Sequence, residues 1–157
     1  MTATHLHLLL MRHADAAPGA PGTPDALRPL TDEGRRRARE RADVVVGFAP
    51  DLVLCSSARR ATETLEAVGD IGGAVEVDDR IYEATAASLL LRLAELGPDV
   101  RRVAVIGHLP TIGQLADGLA GDGSAVAFAP AAIAVLRAPG PWSALRAGCA
   151  TVVGYRP

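Results

Sequence analysis

Three apolar runs in this chain stop abruptly at residues able to handle phosphate. Leu8-Leu9-Leu10-Met11 stops at Arg12-His13-Ala14-Asp15, and Leu52-Val53-Leu54-Cys55 stops at Ser56-Ser57-Ala58-Arg59-Arg60. Val103-Ala104-Val105-Ile106 stops at Gly107-His108-Leu109-Pro110. A guanidinium offers a planar fork of donors to phosphate oxygens, and an imidazole can act as nucleophile or base. One isolated Arg-His pair is ordinarily a strand end meeting solvent. Three such ends change the reading, because in an open α/β sheet ligands bind outside the carboxyl ends of the strands. Two Arg and two His converging there would suit phosphoryl transfer. His13 would attack phosphorus in line and form a phosphohistidine that water then hydrolyses. Arg12 and Arg60 would neutralise equatorial oxygens, and His108 would donate a further hydrogen bond. Nearby cations would keep His13 neutral, the form a nucleophile needs.

The elements that must carry these residues alternate. Strands are expected at residues 5–12, 51–56, 75–77 and 101–106, with later candidates at 131–136, 142–146 and 150–155. A helix opens at Thr31, with a buried stripe of Ala38, Ala42, Val45 and Val46, and Pro50 ends it. A second starts at Ser57, where a Ser cap followed by Arg makes an anion site. Others cover 88–96 and begin at Pro110, a residue suited to the first helical position. Residues 16–29 hold four prolines and two glycines and read as a loop, either a flap over the site or a plain connector. The expected fold is α/β: a three-layer α/β/α sandwich with a mostly parallel central sheet, forming one domain over residues 1–157.

Composition removes several alternatives. All 16 basic residues are Arg, so there is no Lys for a Schiff base or a phosphate loop. The net charge of −2 gives no basic surface for nucleic acid. Arg35, Arg36, Arg37, Arg39 and Arg41 read as a solvated helix face, with a docking surface for an acidic partner as the alternative. Cys55 and Cys149 lie far apart and suit structural thiols in a reducing compartment. No leader pattern or membrane-length apolar run occurs, so a cytoplasmic location is expected. His5 and His7 share a strand face without a third ligand nearby, and the acids are scattered; no metal or cofactor is expected.

The set Leu10-Met11-Arg12-His13-Ala14, Ser56-Ser57-Ala58-Arg59-Arg60-Ala61-Thr62-Glu63-Thr64 and Gly107-His108-Leu109-Pro110 resembles the histidine phosphatase superfamily. That resemblance implies a phosphoglycerate-mutase-like fold, with His13 as the phosphorylated nucleophile and Arg12, Arg60 and His108 completing the phosphate pocket. Arg60, rather than Arg59, falls at the arginine of the family's S-x-x-x-R-A-x-x-T pattern. Glu83, after Arg80-Ile81-Tyr82, falls where the mutase-like members place a proton donor, and Asp15 is its rival. Two positions depart from the pattern: Ala14 replaces a common Gly, and Leu109 stands where many members have Asn. Only 24 residues separate Glu83 from His108, too few for a roof over the site. The chain therefore looks like the SixA-type branch, which implies a protein phosphohistidine substrate. A small phosphate ester is the alternative substrate, and a non-catalytic phosphate-binding module a further reading. A relay that stores phosphate on His13 is the last. A monomer is expected, with no nucleic acid or membrane partner.

Overall fold

The computed structural model describes residues 5–121, 123 and 126–157. Residues 1–4, part of the stretch read above as lacking a leader, lie outside it. Six strands form one sheet: β1 (His5–Arg12), β2 (Leu52–Ser56), β3 (Ala74–Asp78), β4 (Arg102–Gly107), β5 (Ile133–Pro139) and β6 (Thr151–Arg156). Their order is β3-β2-β4-β1-β5-β6. The first four are mutually parallel; β5 runs antiparallel to β1, and β6 antiparallel to β5. The mostly parallel sheet is as expected, with its antiparallel strands confined to one side.

The continuous apolar runs are explained by burial on both faces. Period-two alternation sends Leu8, Leu10, Leu54, Val103 and Val105 to one side, and Leu9, Met11, Val53, Cys55 and Ile106 to the other. On the first side lie α5 (Ala86–Ala94) and α6 (Thr111–Ala120), through Leu89, Leu93, Ile112 and Leu115. On the second lie α1 (Asp32–Arg39), α2 (Ala42–Phe48) and α3 (Arg59–Val68), through Ala38, Val45, Phe48, Ala61 and Val68. A short helix, α4 (Asp79–Tyr82), follows β3. Each fully buried Leu of these layers stabilises the fold by roughly 1.5–3 kcal/mol.

Several local expectations are corrected. The helix opening at Thr31 does so as expected, with the Thr31 hydroxyl accepting from Gly34 N, but it breaks at Glu40-Arg41 into α1 and α2. The break rotates the second half, so Val46 is 48% exposed and leaves the expected stripe. Its pivot, Arg41, is tied elsewhere, donating from Nε to Ala131 O. The helix after β2 starts at Arg59, not Ser57, with Ala58 at its cap. The expected helix at 88–96 is α5, which begins earlier because Thr85 and Ser88 form a reciprocal cap. Pro110 sits at the cap just before α6. Residues 142–146 are not a strand: Trp142–Ala144 form one 3-10 turn, and buried Trp142 donates from Nε1 to Val100 O. Pro141 has no N–H to offer a ladder there. Among the described residues, no helix is long and apolar enough to cross a membrane.

Candidate active site

The carboxyl ends of β1, β2 and β4 meet on one edge of the sheet. The backbone around His13 is pinned from both sides, by the end of β4 and the turn before β5: His13 N donates to Gly107 O, and Ala131 N donates to His13 O. The next residue is held by α3, since Ala14 N donates to Thr64 Oγ1 at 3.0 Å. The residue after that is held by α1, since Thr31 N donates to Asp15 O. Gly34 makes that approach possible, because a Cβ there would lie 2.3 Å from Asp15 O. The spacing of Ser56, Arg60, Ala61 and Thr64 thus has a physical meaning. Ser56 Oγ lies 2.7 Å from His108 Nε2, Arg60 enters the cavity, Ala61 is fully buried, and Thr64 anchors the loop after β1.

A cavity of about 390 Å³ is lined by Arg12, His13, Asp15, Arg28, Arg60 and His108, with Leu109 and Pro130 at its edge. The two imidazole centroids are 5.1 Å apart. His13 Nδ1 lies 2.7 Å from Ala14 O. A carbonyl only accepts, so Nδ1 carries the proton and Nε2 keeps its lone pair. Burial lowers the His13 pKa to about 4, aided by the charges of Arg60, Arg12 and Arg28 and opposed by the bond to Ala14. Burial, with His13 and Arg60 beside it, lowers His108 to about 3. Both rings are therefore neutral at physiological pH.

Among the described residues, four buried side-chain polar atoms lack a hydrogen-bond partner: Arg12 Nε, Arg60 Nε, His108 Nδ1 and Asp15 Oδ2, the last with Arg37 Nη1 3.7 Å away. All four residues line this one cavity. An unpaired buried polar group costs about 1–3 kcal/mol, so the deficits mark where a ligand belongs. Three of the four can be donors, as a tetrahedral oxyanion requires. No group of three or more His, Cys, Asp or Glu is placed to hold a metal ion among the described residues.

The structure thus brings together Arg12, His13, Arg60 and His108, as expected, and adds Asp15 to the wall. Glu83 is not in the lining; it is exposed at the end of α4, one residue past Tyr82, whose ring stands edge-on to His108. Sequence reasoning missed Arg28, Asp25 and Tyr82. The loop at 16–29 folds a 3-10 turn, Asp25–Leu27, against α3. Asp25 accepts from Arg28 Nε at 2.9 Å, from Arg60 Nη2 at 3.1 Å and from the Tyr82 hydroxyl at 2.7 Å. Tyr82, Arg28 and Arg60 hold the Asp25 carboxyl down to a pKa of about 2. The only signal for these three was a charged pair, Asp25 and Arg28, inside an otherwise Pro- and Gly-rich loop. The Arg cluster of α1 is mostly consumed within the protein: Arg36 pairs with Glu33 and Glu40, Arg37 with Glu33, and Arg35 with Glu63.

Residues 8–114 match the family model of the histidine phosphatase superfamily (branch 1). The chain is 36% identical over 156 residues to the uncharacterized protein Rv1276c of Mycobacterium tuberculosis, covering 92% of this chain and 98% of that one. It is 33% identical over 138 residues to the phosphohistidine phosphatase SixA of Escherichia coli, covering 82% and 83%. The solved structure of a SixA-type protein from Nakamurella multipartitia superposes with a TM-score of 0.88 at 32% identity, covering 98% and 96%.

Proposed function

The chain belongs to the histidine phosphatase superfamily, in its SixA-type branch, and on that premise we propose that it removes phosphate from phosphohistidine on a protein. The observation that carries the reading is the set of unpartnered donors around one imidazole whose Nε2 is free. In the first step His13 Nε2 attacks phosphorus as the substrate's own N–P bond breaks. The departing imidazole takes up a proton from solvent at the open rim, and the attacking water of the second step gives one back. In the second step water attacks the phosphorus on His13, releasing inorganic phosphate and returning the ring to its starting form. Arg12, Arg60 and His108 hold the phosphoryl oxygens, with Arg28 beside them, where charge stabilisation is the main source of rate.

The first step trades one imidazole for another, so nucleophile and leaving group are chemically matched. An alkoxide leaving group would need a positioned acid, worth about 10²–10⁴-fold. Glu83, exposed outside the cavity, is poorly placed for that task, which favours the phosphohistidine reading. Asp15 on the wall favours the second reading, a small phosphate ester with Asp15 as acid. Leu109, 41% exposed at the cavity edge, and the surrounding open rim suit a protein surface better than an enclosed metabolite.

The test presents a phosphohistidine protein and an aryl phosphate to the purified protein, with EDTA present and His13→Ala alongside. Faster turnover of phosphohistidine, lost in the variant, is the expected result, with EDTA without effect. Preference for the ester would move the assignment to the small-molecule reading. A folded protein inert toward both would leave phosphate binding without turnover.

A further inference from the structure

Ser56, like Thr64, has no exposed surface, and its hydroxyl lies within hydrogen-bond distance of one cavity-lining residue, His108. Its oxygen has two neighbours. Ala58 N donates to it at 3.2 Å, and His108 Nε2 lies 2.7 Å away. A serine hydroxyl has one hydrogen to give and lone pairs to receive with. The Ala58 N–H uses a lone pair. The one hydrogen then has a single acceptor available among these contacts, His108 Nε2.

We propose that Ser56 is a positioning residue that fixes the tautomer of His108, so that its Nδ1–H is the hydrogen-bond donor offered to a phosphoryl oxygen. The inference rests on the phosphatase reading for the identity of that oxygen, and on geometry for the tautomer. His108 Nδ1 is the buried ring atom without a partner. With the proton on Nδ1, this atom is a donor in a cavity already marked by the unpaired Nε–H groups of Arg12 and Arg60. With the proton on Nε2, a bare lone pair would face the phosphate oxygens, and the Ser56 hydrogen would have no acceptor.

The consequence is a division of labour between two rings in the same protonation state. His13 is held as the Nδ1–H form by Ala14 O and presents its bare Nε2. His108 is held as the Nδ1–H form by Ser56 and presents the protonated nitrogen. The partners differ in kind, a backbone carbonyl for one and a hydroxyl for the other, and each leaves the opposite edge of its ring to the cavity. Orienting partners behind an imidazole are worth about 10–100-fold in better-studied sites where the imidazole binds a metal.

The experiment has two arms. In the first, wild-type protein labelled with nitrogen-15 at histidine is observed by NMR, with His108→Ala providing the assignment, before and after addition of inorganic phosphate. Protonated Nδ1 and bare Nε2 on His108, with the Nδ1–H signal moving on phosphate addition, is the expected result. A protonated Nε2 in the free protein overturns the inference, whatever the turnover. In the second arm, Ser56→Ala lowers kcat/KM by about 10–100-fold, chiefly through kcat, because the lost bond strengthens in the transition state. Ser56→Thr, which keeps a hydroxyl, restores most of that loss. In a His108→Ala background, Ser56→Ala costs almost nothing further, since the two act as one unit. An equal loss in both backgrounds would make Ser56 merely structural and overturn the proposal. A protein inert toward phosphohistidine but showing the expected tautomer and phosphate response would sink the proposed function and leave this inference standing.

Discussion

The floor and the rim of the cavity are built by different means. The floor consists of Arg12, His13, Ser56, Arg60 and His108. Arg12, His13, Ser56 and His108 sit at or just past strand ends and Arg60 on the first turn of α3; the backbone of Arg12, His13 and Ala14 is locked by long-range hydrogen bonds, and Ser56 and His108 are joined side chain to side chain. The rim consists of the 16–29 loop, Tyr82, Glu83 and Leu109. Asp25 ties it together by accepting from Arg28 and Tyr82, and joins it to the floor by accepting from Arg60 through both its carboxylate and its backbone carbonyl. A floor fixed by the sheet serves any phosphoryl group. A rim fixed by a few ion pairs can change without disturbing the fold, so substrate choice is expected to reside there.

That contrast breaks most visibly at His13, the proposed nucleophile. His13→Ala should lower turnover by about 10⁴-fold or more, as removal of an attacking group does elsewhere, with the fold intact by circular dichroism. Residual turnover near the wild-type level would mean that the floor is not the catalytic centre.

The rim should respond differently. Asp25→Asn removes the anion that engages Arg60 and Arg28, so inorganic phosphate should bind and inhibit more tightly, by up to about fivefold for one exposed charge contact of about 1 kcal/mol or less. Calorimetric titration would measure this. Unchanged phosphate affinity would show that Asp25 and phosphate do not compete.

The buried imidazoles also leave a thermodynamic signature. The folded-state pKa values of His13 and His108, about 4 and about 3, lie below the ordinary 6.5. The unfolded chain therefore binds protons that the folded site refuses between those values and 6.5, and stability rises with pH across that window. Asp25 and Asp78, held down to about 2, lose their stabilising contribution only at lower pH, below their ordinary value of 3.8. Urea midpoints measured from pH 4 to 7 should show the slope, and His108→Gln should make it shallower. The smallest effect is expected at Glu83→Gln: less than about threefold on phosphohistidine, because an exposed acid outside the cavity has little to add to an imidazole leaving group. A large loss there would restore Glu83 as the donor and extend the chemistry to the rim.

How much was legible follows the same division. Strands β1, β2 and β4 announced themselves as unbroken apolar runs, and the residues at their ends were readable because a parallel sheet puts such ends on one edge. The roles of Asp25, Arg28 and Tyr82 were not, since a loop without periodicity gives no sign of what it folds against. Trp142 shows the same limit in the core. Its apolar neighbourhood suggested a strand, whereas the indole N–H had a carbonyl to reach on the segment before β4, and Pro141 barred a ladder. The division of α1 from α2 was hidden because Arg41 makes its decisive contact 90 residues away, at Ala131.

Asp25 on Arg60 has one more consequence. Arg60 Nη2 already rests on an anion of the protein's own making at the rim, so in the proposed reaction a phosphoryl group reaches that nitrogen by exchange, while the unpaired Nε is open to simple addition. Exchange reactions gain little net charge pairing in either direction. In the proposed cycle free phosphate therefore has a replacement waiting in the loop, and the exchange at Arg60 Nη2 favours shedding the product as much as admitting the next substrate.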